Sequence, residues 1–328
     1  MIETGGQLQL IKNYPDKSFV LGNNVDLDNI NWKPFDFSGT LDGKGFTILN
    51  LYINRTDSYQ GLFSRLSSDA KVKNLTIKGV KIDASSADYV GALAGYAHWS
   101  AMVSKCNIVF TPGSMIKGNE CVGGIVGYSD CFANAHSGKN IILDCEVTSP
   151  TDEYVISGES SVGGIVGCGG CENCKVSANI KGADCVGGIV CSLKRGRTKV
   201  MACYADGTIQ AESSMVEIIG GLVGDGVYDT EIHLSYSTVT STSAKFDGIG
   251  CKRYDNYDGY LTTYDSCTSQ NTTVKGSNIK AKCTDIASFM KESYSEYASL
   301  WNYNSTWAWS GKIDGVSKTV KCPKLAWE

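Results

Sequence analysis

The chain has 328 residues, 42% of them hydrophobic, with 37 glycines, 14 cysteines and a formal net charge of −4. That composition is typical of a globular protein with enough apolar material for a core. Its lysines and arginines are too scattered to form the basic surface that phosphate contacts need, so nucleic acid is excluded as a partner. No apolar run approaches the roughly 20 residues of a membrane helix, so we expect no membrane insertion.

The N-terminal segment GGQLQLIKN, residues 5–13, is short and amphipathic. A stack of repeats must protect its terminal strands, because unpaired backbone groups at an open edge promote aggregation. We therefore predict that this segment covers the first repeat as a cap.

A hexapeptide recurs through the middle of the chain. Its copies are VGALAG from Val90, VGGIVG from Val122 and Val162, VGGIVC from Val186 and IGGLVG from Ile219. Paired glycines would cost a helix about 1 kcal/mol each relative to alanine, whereas they suit a strand that lies close to a neighbouring backbone. The hexapeptide therefore predicts strands.

A second element, with apolar residues at its positions 1, 4 and 6, lies between the hexapeptides. It is short, rich in valine and isoleucine and bounded by turn residues, which is typical of a strand. Its fourth position defines a predicted core column: Leu51, Leu75, Cys106, Cys145, Cys174, Cys203, Ser235 and Cys267. Such repeats, stacked as parallel strands, predict an all-β fold, a right-handed parallel β-helix of about eight to ten coils with terminal caps.

The repeats resemble a known family. VGGIVG and IGGLVG are similar to the GLUG motif, which recurs in bacterial surface adhesins and in the non-catalytic regions of some IgA-cleaving peptidases. The opening TGGQLQLIKNYPDKSFVLGNNVDL and the closing CPKLAWE resemble the ends of such regions. The resemblance implies a β-helix type of solenoid, secretion to the cell surface and a role in adhesion or scaffolding, and it implies no catalytic residues.

The whole chain, 1–328, is predicted to form a single repeat domain. Residues 1–47 would be the N-terminal cap and first coil, 48–275 the coils, and 276–328 the C-terminal cap. Apolar residues at helical spacing from Ile286 to Trp301 predict a short helix near the C-terminus. Trp301, Trp307 and Trp309 follow, and we expect them to pack on the last coil, with a sugar-stacking face as the alternative.

The run CGGCENC carries Cys168, Cys171 and Cys174 at the spacing of metal and iron–sulfur ligands. Cys171 and Cys174, however, occupy repeat positions that other copies fill with Val, Ile or Leu, and Cys168 follows a hexapeptide where a turn is expected. No fourth ligand is evident nearby, so we predict no metal and no cofactor. For Cys106, Cys145, Cys174 and Cys203 on adjacent coils, thiols are favoured over the alternative of disulfides.

The segment KRYDNYDGYLTTYD, residues 252–265, sets tyrosines among carboxylates. Aromatic rings stack on sugar faces and carboxylates accept hydrogen bonds from hydroxyl groups. The predicted ligand-binding residues are Tyr254, Asp255, Tyr257, Asp258 and Tyr260. The alternative is a long turn whose tyrosines pack on the flank of the coils.

These features favour a non-catalytic adhesin or scaffold module that binds a glycan or a surface protein. One alternative is a carbohydrate-active enzyme on the same scaffold, with Asp255 and Asp258 as the first suspects for paired carboxylates. Another is a filament or fibre subunit, in keeping with end-to-end or lateral self-association. We expect an extracellular or cell-surface location, although residues 1–10 lack the features of a signal peptide.

Overall fold

The computed structural model describes residues 1–130, 141–193, 199–211, 218–226, 231–241, 246–248, 250–251, 263–268, 280–281, 301–313, 316–325 and 327. Most of these residues lie in strands of stacked parallel sheets. The N-terminal segment is helical as far as Asn13, with an α-helix at Gly5–Leu10 and a 3-10 turn at Ile11–Asn13. The Thr4 hydroxyl caps the helix by accepting from the Gln7 N–H at 3.2 Å.

Within the described residues, four parallel sheets, which we name A to D, make up the repeats. Sheet A contains Ser18–Val20, Val25–Asp26, Thr40–Asp42, Thr47–Leu49, Lys71–Lys78, Met102–Val109, Ile142–Leu143, Glu146–Thr148, Cys171–Glu172, Lys175–Ser177, Lys199–Met201, Tyr204–Asp206, Glu231–Ser237, Thr263–Thr268 and Lys280–Ala281. Sheet B contains Tyr52–Asn54, Lys81–Asp83, Met115–Lys117, Tyr154–Gly158, Asn179–Gly182 and Ile209–Ala211.

The hexapeptides supply the other two sheets. Sheet C contains Val90–Gly91, Glu120–Gly123, Ser160–Gly163, Cys185–Gly187, Ile218–Gly220 and Phe246–Asp247. Sheet D contains Phe63–Leu66, Ala94–Ala97, Val126–Ser129, Val166–Cys168, Val190–Leu193, Val223–Gly226 and Gly250–Cys251. An antiparallel hairpin of Trp301–Ile313 and Val316–Leu325 follows near the C-terminus.

From Lys71 to Gly226, the described strands of each repeat unit follow the order A, B, C, D, and the chain then returns to sheet A. One unit runs through Lys71–Lys78, Lys81–Asp83, Val90–Gly91 and Ala94–Ala97 before the next begins at Met102–Val109. Equivalent strands of successive units pair in parallel and in register. A connected apolar core extends through the described residues from Ile2 to Val239.

The glycine pair of the hexapeptide lies at the corner between sheets C and D. A Cβ on Gly123 would collide with the carbonyl oxygen of Val126, and a Cβ on Gly124 would collide with the carbonyl oxygen of Gly164 in the next unit. Glycine therefore allows both a tight corner and a close approach between units. Val122, Ile125 and Val126 of the same hexapeptide are fully buried.

A left-handed residue explains the 1-4-6 pattern of the second element. A regular strand would bury positions 1, 3 and 5, because side chains alternate between its two faces. The residue at position 3 instead has positive φ: Asn74, Lys105, Asp144, Asn173 and Ala202 lie between 50° and 55°. This kink shifts the alternation by one residue, so positions 4 and 6 face the core along with position 1.

Two members of the predicted core column belong elsewhere. ILNLYI is not one strand, because Asn50 at φ 58° bends the chain between Thr47–Leu49 and Tyr52–Asn54. Ile48 pairs with Ile77, so Leu51, although fully buried, does not lie beside Leu75. At the other end of the column, a register shift pairs Cys267 with Tyr236 instead of Ser235.

The remaining members of the column, Leu75, Cys106, Cys145, Cys174, Cys203 and Ser235, are at most 1% exposed. Cys106 pairs directly with Leu75. The predicted C-terminal helix falls on residues outside the described part of the chain, except that Trp301 begins a strand. Trp307 and Trp309 lie in the same strand.

Candidate functional site

The ligand-binding residues predicted from sequence, Tyr254, Asp255, Tyr257, Asp258 and Tyr260, lie outside the described residues. Their role as a binding segment remains a prediction. The described residues contain a different concentration of aromatic side chains, at the corner between sheets C and D.

Four tyrosines from successive units form this tyrosine cluster: Tyr59, Tyr89, Tyr96 and Tyr128. Tyr59 and Tyr89 each stand just before a corner, with left-handed backbones at φ 67° and 61°. Tyr96 and Tyr128 follow their hexapeptides in sheet D, where they pair in register. Parallel stacking of units thus brings two pairs of tyrosines, separated in sequence, onto one surface.

The rings of the tyrosine cluster contact one another in two geometries. Tyr59 stacks on Tyr89 with ring centroids 4.9 Å apart, and Tyr96 stacks on Tyr128 at 5.8 Å. The two stacks meet edge to face, with Tyr59 6.3 Å from Tyr96 and Tyr89 5.6 Å from Tyr128. All four side chains are partly exposed, so the cluster offers aromatic surface to a ligand.

Two charged residues border the cluster. The Arg65 guanidinium lies 4.0 Å from the centre of the Tyr59 ring, a cation–π contact. The Tyr96 hydroxyl donates to the Asp130 carboxylate at 3.0 Å. Partial burial and this hydrogen bond raise the pKa of Tyr96 to about 12, so its hydroxyl remains a donor at neutral pH. The surface thus combines apolar ring faces with one cation and one carboxylate.

Sequence reasoning missed this cluster, although the signal was present. In the sequence, Tyr96 and Tyr128 each directly follow a hexapeptide, Tyr89 directly precedes VGALAG, and Tyr59 directly precedes the similar segment QGLF at residues 60–63. Tyrosine on both sides of a repeated corner predicts an aromatic ladder once the repeats are stacked.

The cysteines of CGGCENC divide into two groups. Cys168 does not lie in a turn but ends the strand Val166–Cys168, and its sulfur lies 2.8 Å from that of Cys121. Cys171 and Cys174 group with Cys203 of the next unit, their three sulfur atoms all within 4.8 Å of one another.

These three thiols are close enough to share a thiophilic ion, but structural zinc sites normally use four ligands. Cys171 pairs with Val200, so its place is that of a core residue. Burial raises the pKa of Cys171, as it does for Cys106 and Cys145, and the protonated thiols pack as small apolar groups. Cys106, Cys145, Cys174 and Cys203 form no disulfide bond in the structure.

A cleft of about 530 Å³ lies beside the N-terminal helix and is lined in part by Glu3, Asp26, Asp28, Ile30 and Trp32. The Asp26 carboxylate accepts from the Asp28 N–H at 2.8 Å and from the Asn50 amide at 2.9 Å. These hydrogen bonds hold the turn that forms the cleft wall, which is a structural role. Among the described residues, no helix is long and apolar enough to cross a membrane.

Comparisons with known proteins relate the chain to two partial sequence matches and to a solved structure of similar fold. No family model matches the chain. It is 36% identical over 94 residues to halomucin of Haloquadratum walsbyi, a match that covers 28% of this chain and 1% of halomucin. It is 34% identical over 110 residues to a "Putative Gly-rich membrane protein" of Evansella cellulosilytica, a match that covers 29% of this chain and 13% of that protein.

Both matches therefore span a small part of much longer relatives. The crystal structure of a "putative immunoglobulin A1 protease" from Bacteroides ovatus superposes with a TM-score of 0.58 at 16% identity. That superposition covers 100% of this chain and 92% of the other. At such low identity the likeness is one of fold, and the chain thus shares a fold of stacked parallel sheets with this protein.

Proposed function

We propose that the chain is a non-catalytic adhesin or scaffold module of the cell surface, and that its tyrosine cluster binds a glycan. In this proposal the sheets form a right-handed parallel β-solenoid of the GLUG type, with about eight to ten coils and caps at both ends. The N-terminal helix and the C-terminal hairpin would be those caps.

The tyrosine cluster is the observation that carries the proposal. Its four ring faces are partly exposed on one surface, held by packing against one another, and thus lose little freedom when a ligand binds. A sugar ring offers C–H groups to aromatic faces and hydroxyl groups to charged side chains. Asp130 can accept from such hydroxyls and Arg65 can donate to ring or carboxylate oxygens. A surface protein that presents an aromatic or polar patch is the other ligand class compatible with this chemistry.

Two further observations support a location outside the cell. Cys185 and Cys191 form a disulfide, a bond typical of proteins in oxidising compartments. One of the two sequence relatives is named halomucin and the other a "Putative Gly-rich membrane protein", and the second name is compatible with a cell-surface location. The resemblance of VGGIVG to the GLUG motif also supports a location outside the cell.

A glycan array tests the proposal, using the purified chain with its disulfide intact. We expect binding to at least one glycan, and we expect Tyr96→Ala or Tyr128→Ala to weaken it at least ~10-fold, equivalent to about 1.4 kcal/mol. The matched control is Tyr14→Ala, because Tyr14 is 60% exposed and lies apart from the cluster. Unfolding curves of the three variants verify that each one folds.

Three results would contradict the proposal. Binding that survives both cluster variants would assign the ligand to another surface, and the segment 252–262 would be tested next. Release of a cleaved product from a bound glycan, lost on Asp255→Asn or Asp258→Asn, would show catalysis instead. End-to-end assemblies in electron micrographs, without glycan binding, would favour a filament subunit.

A further inference from the structure

Cys121 and Cys168 lie in successive units on either side of the corner between sheets C and D. Cys121 is in the strand Glu120–Gly123, directly before the hexapeptide valine Val122. Cys168 ends the strand Val166–Cys168 of the next unit. Both residues are at most 1% exposed. A Cβ on Gly167 would lie against the Cys121 carbonyl carbon, so the missing side chain at Gly167 lets the two strands approach.

The two sulfur atoms are 2.8 Å apart. Nonbonded heavy atoms settle at about 3.5–4.0 Å, whereas the sulfurs of a disulfide lie about 2.05 Å apart. The observed separation lies between these values and is shorter than an ordinary nonbonded contact, so a movement of less than about 1 Å would complete the bond. Cys168 is the last residue of its strand, so a movement of this size at Cys168 leaves the pairing of Val166 with Val126 in place.

The same corner already carries a cross-link one unit further along. Cys185 stands directly before Val186 of its hexapeptide, as Cys121 stands before Val122, and it is bonded to Cys191 directly after Val190. Cys168 lies two residues after Val166 of its own unit and pairs with Ser192, the neighbour of Cys191. Within that unit, the position before the sheet C valine is thus joined to the residue directly after the sheet D valine.

We propose that Cys121 and Cys168 form a second disulfide, which staples one repeat unit to the next at this corner. Each thiol gives up its proton and one electron as the bond between the two Sγ atoms forms. The two electrons reduce a disulfide of an exchange partner, such as a thiol–disulfide oxidoreductase, to two thiols, and the two protons are taken up there. The conditions that oxidise Cys185 and Cys191 also oxidise this pair.

The staple differs from the cysteine column in the core. The sulfur atoms of Cys171 and Cys203 in the core are 3.9 Å apart, an ordinary nonbonded contact. We therefore expect the core cysteines to remain thiols while the corner cysteines are cross-linked. This inference does not depend on the ligand of the tyrosine cluster.

Peptide mapping tests the inference. The protein is unfolded at low pH without reductant, its thiols are blocked with maleimide, and the digest is analysed by mass spectrometry. We expect a linked peptide pair that contains Cys121 and Cys168, and a second pair or an internal link for Cys185 and Cys191. Cys106 should carry maleimide and serves as the internal control for complete blocking.

Two variants test whether the linked peptide pair depends on Cys121 and not on Cys106. Cys121→Ser should leave Cys168 labelled by one maleimide, whereas Cys106→Ser should leave the linked pair unchanged. The inference is overturned if wild-type Cys121 and Cys168 both carry maleimide while Cys185 and Cys191 are linked. It is equally overturned if Cys168 is linked to Cys171 or to any other cysteine.

Discussion

Alanine in place of Gly164 tests the close approach between repeat units most directly. Gly164 is the second glycine of a VGGIVG copy, and a Cβ there would collide with the carbonyl oxygen of Gly188 in the next unit. The same Cβ would lie 2.8 Å from both γ-methyl carbons of Val176. The Gly188 carbonyl has little room to retreat, because the adjacent Ile165 N–H donates to the Ile189 carbonyl at 2.8 Å.

The size of the effect follows from two opposing terms. An extra methyl group in a packed site costs about 1–3 kcal/mol, and we take the upper part of that range because the atom it meets belongs to a paired backbone. Alanine also lowers the conformational entropy of the unfolded chain, which offsets about 0.4–1 kcal/mol of that cost. We therefore expect Gly164→Ala to lower the free energy of unfolding by about 2 kcal/mol and the Tm by about 4 °C.

Thermal and urea unfolding, followed by circular dichroism, measure this change. The matched control is Gly6→Ala: Gly6 is exposed in the helix Gly5–Leu10, and a Cβ there would meet no atom within 4 Å. Alanine should stabilise that helix by up to ~1 kcal/mol. The same substitution should therefore raise the free energy of unfolding at Gly6 and lower it at Gly164. Equal stabilities of Gly164→Ala and the wild type would refute the steric explanation.

Three other predictions address the staple, the tyrosine cluster and the core. Without reductant, the double variant Cys121→Ser and Cys168→Ser should lose about 4 kcal/mol of unfolding free energy, the chain-entropy value for a sequence separation of 47 residues. Tyr96 should titrate near pH 12 in ultraviolet absorbance, above its ordinary 10.0, and Asp130→Asn should lower that pKa by removing the carboxylate charge that disfavours the tyrosinate. Ile125→Ala should cost about 2–5 kcal/mol in urea unfolding, because Ile125 is fully buried.

Each of these predictions has a control. A strong reductant should reduce the difference between the double serine variant and the wild type, and a difference that reductant leaves unchanged would exclude the disulfide as its cause. Because the folded-state pKa of Tyr96 is raised, its contribution to stability should be full below pH 10 and fall as the pH rises towards 12. Ile30→Ala, at a side chain 69% exposed, should change stability by no more than about 0.5 kcal/mol.

The repeated patterns were sufficient to predict an all-β chain of stacked parallel strands. The apolar positions of the hexapeptide and of the second element indicate which side chains are buried. This is because every unit must place apolar residues inside and glycine at the corner. Cys171 and Cys174 were assigned to core positions on that basis, and both are fully buried. Residues 5–13 were predicted as a short amphipathic cap; the structure makes this segment helical, and its role as a cap stays a prediction.

The pairing register of the strands was harder to predict where a turn has the same apolar pattern as the second element. Asn50 and Asn74 both stand third in a six-residue element and both have left-handed backbones, so ILNLYI and VKNLTI look equivalent. The pairing of Ile48 with Ile77 shows that they are not. A slip of this kind changes which residues are neighbours, but it leaves Leu51 buried, so the sequence alone carries no sign of the error.

What the sequence by itself determined is therefore the repeat, the strand content and the inward positions, because these depend on contacts within each unit. The tyrosine cluster and the pairing of Cys121 with Cys168 were decided only by the tertiary structure. Both join residues of different units, 47 positions apart for the cysteines, and their contact depends on how the corner between sheets C and D stacks. Glycine at Gly123 and Gly124 allows that stacking by leaving the space that neighbouring backbones fill.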